Sequence, residues 1–154
     1  MKYLLLLLPF LLTLPSCKRD VLVEEKYSFE NNQWLTGDAK VLKINAPDTS
    51  QVFQLDVDLQ HEATYAFQNL YVRVKTIYPS GKEVKSVTSL QLSNENGSWA
   101  GDCSGKNCSI ELPLQHHFTF PEIGEYTWTI EPYMRIDTVQ GIKSLTVRCR
   151  KVTQ

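Results

Sequence analysis

The chain has 154 residues, 42% of them hydrophobic and 21% charged, and its 16 basic and 17 acidic residues leave a net charge of −1. Once a short leader is removed, that length suits one domain, and a domain of this size needs neither metal nor dense disulfides to hold its core. The charge balance lacks the basic excess that a nucleic-acid binder shows.

The first element is a leader. Met1-Lys2 is followed by an apolar run from Leu4 to Leu14, interrupted only by Pro9 and Thr13. Such a run is too short to cross a bilayer as a helix but suits a secretory signal. It ends in Leu14-Pro15-Ser16-Cys17, which resembles a bacterial lipobox. Small Ser16 fits the slot before the cut, and Leu14 fits the apolar site three residues before the cysteine. The reading is a signal peptide over 1–16 and a lipid on Cys17. The competing reading is an ordinary signal peptide with Cys17 as a bystander. Several acyl chains on one thiol anchor firmly, because each buried methylene contributes about 0.8 kcal/mol. Lys2 leaves with the leader, so the mature chain carries 15 basic and 17 acidic residues, or −2.

Residues 17–26 read as the lipidated cysteine and a tether, with Glu24 and Glu25 solvated. A β domain then spans 27–152. Short strands are expected near Tyr27–Glu30 and Val41–Ile44. Phe53, Leu55, Val57 and Leu59 alternate with Gln54, Asp56, Asp58 and Gln60, a period of two that buries one face. Leu70, Val72 and Val74 alternate in the same way, and Pro79-Ser80-Gly81-Lys82 supplies a turn with Gly81 free for positive φ. Thr88, Leu90 and Leu92 form the next stretch. Ile110, Leu112 and Leu114 follow, with Pro113 marking an edge. Tyr126, Trp128 and Ile130 alternate with polar residues, as do Leu145, Val147 and Cys149. About eight strands and no amphipathic helix predict an all-β antiparallel sandwich, immunoglobulin-like or jelly-roll-like. Gly124-Glu125-Tyr126 resembles a tyrosine corner, in which the hydroxyl bonds back to upstream backbone.

Export implies an oxidising compartment, so Cys103 and Cys108 predict a disulfide across the loop between them. A zinc site from Cys103, Cys108, His116 and His117 is the weaker alternative, because adjacent histidines on a strand point to opposite faces. Cys149 alternates with apolar residues and reads as a small buried side chain. His61, His116 and His117 sit in no catalytic motif and read as ordinary surface histidines, so no catalytic residue, cofactor or metal is expected. Trp34, Trp99, Tyr133 and Met134 are the candidates for a binding surface, although for the tryptophans the sandwich core is the favoured place. Asp137-Thr138-Val139 is similar to a short O-glycosylation motif of exported Bacteroidetes proteins, which makes Thr138 a candidate.

Four features together resemble the gliding-motility lipoprotein family GldH of the Bacteroidetes. They are the lipobox at Cys17, the segment Tyr27-Ser28-Phe29-Glu30-Asn31-Asn32-Gln33-Trp34, and Asn69-Leu70-Tyr71-Val72 with Tyr78-Pro79-Ser80-Gly81-Lys82. The fourth is the block from Phe120 to Glu131 with Met134-Arg135 and Gly141-Ile142 after it. The resemblance implies a lipid-anchored envelope protein linked to gliding and to type IX secretion. It further implies other envelope proteins and a membrane, most simply the outer membrane, as partners, and it carries over no catalytic residue. A surface lipoprotein that binds glycans is the alternative expectation.

Overall fold

The computed structural model describes residues 21–152. Cys17 and the whole leader lie outside the described residues, so the lipid site is not part of the fold below.

Eleven strands run in chain order: β1 (Val21–Ser28), β2 (Gln33–Leu35), β3 (Lys40–Ala46), β4 (Phe53–Glu62), β5 (Asn69–Ile77), β6 (Glu83–Gln91), β7 (Asp102–Ser104), β8 (Asn107–Phe118), β9 (Gly124–Pro132), β10 (Thr138–Gln140) and β11 (Ile142–Lys151). Every pairing is antiparallel. One sheet has the order β1-β11-β4-β8-β7, a second has β3-β9-β5-β6, and β10-β2 forms a short third pair. The two large sheets pack face to face as a sandwich, as the alternating sequence predicts.

The inward residues of both sheets form one core. Leu55, Val57 and Leu59 of β4 lie directly across from Cys149, Val147 and Leu145 of β11. Leu42 and Ile44 of β3 lie across from Trp128 and Tyr126 of β9. All ten are buried. Apolar area taken from water at about 25 cal/mol per Å² drives this packing.

The tyrosine corner forms. The Tyr126 hydroxyl accepts from the Glu122 N–H at 3.0 Å and donates to the Glu122 carbonyl at 3.1 Å. Gly124 beside it has φ +131°, and a Cβ there would lie 3.1 Å from Pro79. Pro79 opens the turn in which Gly81 takes φ +83°.

Two expectations change. Residues 21–26 are not a tether but the first part of β1, paired with β11. Glu24 is not merely solvated; it accepts an ion-pair hydrogen bond from Arg148. The reason is long-range, since the partner lies at the far end of the chain. The strand number also rises from about eight, because β2, β7 and β10 are only three residues long. Pro113 does lie at an open margin, since β7 covers β8 only at Asn107–Ser109.

Candidate functional site

The sequence candidates scatter. Trp34 leaves the candidate binding surface for the core, the place favoured for the tryptophans. It is fully buried, stacks on Phe29 at 4.8 Å and donates from Nε1 to the Asp38 carbonyl at 2.8 Å. Pairing of β2 with β10, through Trp34 and Val139, lays this segment over the core. Trp99 leaves the candidate surface too. It is half-buried, with its ring edge-on to His61 at 4.6 Å and Nε1 donating to the Ala63 carbonyl at 3.2 Å.

His61 is likewise not a surface group. It is 1% exposed, and burial pushes its pKa down, against the smaller opposing effect of the Glu62 carbonyl. Cys103 and Cys108 form a disulfide across the β7–β8 hairpin. His116 and His117 lie exposed near the end of β8. Among the described residues no group of three or more His, Cys, Asp or Glu side chains is placed to hold a metal ion. Cys149 is free and buried, and burial with the nearby Asp56 carboxylate pushes its thiol up to about 12. Thr138 is half-exposed on β10.

Tyr133 is the candidate that stays on the surface, and the fold surrounds it with groups the sequence did not single out. A groove of about 720 Å³ lies on the outer face of the β3-β9-β5-β6 sheet. Phe67, Tyr71, Val87, Tyr133 and Ile136 line it, each at least 38% exposed. Among the described residues, half of the exposed large apolar side chains therefore gather at one place, which is how interaction surfaces are built.

Local structure explains the gathering. Leu70, Val72 and Val74 point inward on β5, so Tyr71 and Arg73 point outward. Val87 sits directly across from Arg73 on β6. Beyond β9 the chain turns over this face. The Tyr133 N–H donates to the Tyr71 carbonyl at 2.8 Å, and the Tyr71 N–H points at the Met134 sulfur at 3.4 Å. Arg73 stacks over the Tyr133 ring at 4.1 Å while its Nη1 holds Glu131 at 3.0 Å. That sandwiching between ring and carboxylate orients the aromatic wall. Phe67 reaches the groove from the β4–β5 loop, edge-on to buried Tyr65 at 5.7 Å.

The groove has a basic margin. Lys75 and Lys85 face each other across β5 and β6, and Arg135 lines the groove itself. Glu131 and Glu83 offset Arg73 and Lys75. Lys85 and Arg135 have no carboxylate within ion-pair distance among the described residues. A concave wall of rings with flanking cations can take up aromatic or apolar side chains, sugar rings, and anionic groups.

Among solved structures, the chain is similar to a tailspike protein of bacteriophage CBA120, with TM-score 0.33 and 8% identity over 86% of this chain and 18% of that one. It is also similar to an infectious bursal disease virus protein, with TM-score 0.28 and 12% identity over 84% of this chain and 32% of that one. The chain spans less than a third of either, and likenesses at this level carry no argument. Sequence is more informative. A curated relative, a gliding motility lipoprotein GldH homolog of Christiangramia forsetii, is 22% identical over 85% of this chain and 82% of its own. The GldH lipoprotein family model matches residues 21–148, nearly the whole described domain. The chain therefore belongs to the GldH lipoprotein family, a motility-associated group of lipid-anchored cell-envelope proteins.

Proposed function

We propose that this protein is a non-catalytic docking component of the gliding motility and type IX secretion-associated machinery, held at the outer membrane by acyl chains on Cys17. The observation that carries the docking role is the exposed aromatic groove around Tyr71 and Tyr133. Family membership supports the motility context, and the lipobox supports the anchor. Cys17 stands only four residues before β1, which ties the domain closely to its lipid.

Two experiments test it. An amine-reactive crosslinker applied to intact cells, followed by purification and mass spectrometry, should recover motility or secretion components. Recovering none sinks the docking role. A clickable palmitate should label the wild type and leave Cys17→Ala dark; a dark wild type removes the anchor. Intact mass of the native protein tests whether Thr138 carries a sugar.

The stacked Arg73 and Tyr133 also favour a second reading, a glycan-binding surface lipoprotein. Affinity electrophoresis on common polysaccharides decides it. Retardation that disappears with Tyr71→Ala and Tyr133→Ala supports that reading, and none on any polysaccharide discards it.

A further inference from the structure

The groove borders a strand edge that no strand among the described residues covers. β6 runs through Glu83–Gln91, pairs with β5 in an uninterrupted register, and has no strand on its other side among the described residues. An open row of backbone N–H and C=O groups is a template for another strand, and stable proteins normally block it.

The other long edges differ from it. Beside β3, the Tyr27 hydroxyl donates to the Val41 carbonyl at 2.8 Å. Beyond Ser109 the margin of β8 carries Pro113 and two register shifts against β4. The β1 edge begins with a register shift and carries Glu24 and Glu25. β6 has no proline and no bulge. It also lies at the far side of its sheet from β3, and β1 runs beside β3. The anchored end of the domain therefore leaves β6 free.

Charge selects what fits. The chain is net negative, yet this face carries Arg73, Lys75, Lys85 and Arg135 against Glu83 and Glu131. From this we infer that β6 takes up an extended acidic segment of another envelope protein, added as a fifth strand to its sheet. Backbone pairing along β6 supplies the binding, and alternate side chains supply the choice of partner. Acidic side chains of the segment meet Lys85 and Arg135. An apolar one beside Val87 reaches the rings of Tyr71 and Tyr133. The inference rests on the docking role proposed above and names the chemistry of its partner.

A photo-crosslinking residue placed at Ser89, on β6, and in a separate protein at Lys26, on β1, tests it in intact cells. Full-length protein is used, and the captured peptides are sequenced by mass spectrometry. The expected result is capture of an acidic segment of another envelope protein from Ser89. That capture should fall about tenfold or more with Lys85→Glu/Arg135→Glu. It should fall equally with one of Ser86→Pro and Val87→Pro, since one of those two N–H groups points off the sheet. Melting curves identify which proline leaves the domain folded. Capture of glycan, lipid or the β1 edge of a second copy overturns the inference. So does capture indifferent to charge and proline. Capture from Lys26 alone overturns it while leaving the docking role intact, and capture from neither position removes both.

Discussion

The two outer faces of the sandwich are built in opposite ways. On the five-stranded sheet the charges answer one another. Arg148 of β11 reaches Glu24 of β1 on one side and Glu111 of β8 at 3.5 Å on the other. Arg150 holds Asp56 at 2.6 Å, and Gln54 donates to the same carboxylate at 2.6 Å. Ser109 donates to Asp58 at 2.9 Å. The row ties four strands together and leaves little for a partner. On the four-stranded sheet, rings stand exposed and two cations, Lys85 and Arg135, have no ion-pair partner among the described residues. Groups that face only water add little to stability, so a patch of them points to binding. Substitutions on the first face should cost stability, and substitutions on the second should cost binding.

The largest effect is expected from Asp56→Ala. Asp56 is 2% exposed, and its loss strands Arg150 and Gln54. Breaking a buried pair costs about 3–5 kcal/mol, and the partial exposure of Arg150 sets the value near about 3. Urea unfolding measures it. A cost under about 0.5 kcal/mol, the size of an ordinary surface change, would break the comparison. Tyr126→Phe comes next. It removes both backbone bonds at the corner that supports the four-stranded sheet and should cost about 1–2 kcal/mol in the same assay.

Acid should act through His61. Burial favours its neutral form in the fold, so its folded pKa is lowered. The unfolded chain therefore takes up the proton first as pH falls through about 6.5. The His61 contribution is full above that pH and is lost below it. Thermal melts from pH 8 to pH 5 should show a falling melting temperature, and a flat or rising one contradicts the sign. Cys149, with its thiol pushed up to about 12, should resist iodoacetamide at pH 8 in the folded protein and react in urea. Labelling of the native protein would show that the core opens. Smallest of all is the stability effect of the paired change Tyr71→Ser/Tyr133→Ser, within about 0.5 kcal/mol of wild type by urea unfolding.

The inner faces of this fold were legible because alternation is local. Leu55-Asp56-Val57 declares which side faces the sandwich core whatever it pairs with. The tyrosine corner and the Cys103–Cys108 hairpin were legible for the same reason, since each closes over a few residues. What sequence reasoning missed depends on partners far away in the chain. Glu24 and Glu25 look like linker until Arg148, 124 residues later, is laid beside Glu24. The strand that buries Trp34 cannot be seen among Asn31, Asn32 and Gln33 until Val139 is laid beside it. Of the groove, only Tyr133 and its neighbour Met134 were found. Tyr71 is the ordinary outward residue of an alternating strand, and Phe67 sits in a loop. The available signal was an aromatic side chain on the wet face of a strand. Only the sheet order brings it to Val87 and Ile136.

The most direct test sets one double variant from each face side by side in the native cell at wild-type protein level. Tyr71→Ser/Tyr133→Ser strips the groove, and Glu24→Gln/Arg148→Gln strips the charge row. Each protein is purified from membranes and its companions are quantified. The account predicts that the groove variant keeps its melting temperature and loses its companions, while the charge-row variant melts lower and keeps them. A groove variant that retains every companion contradicts it.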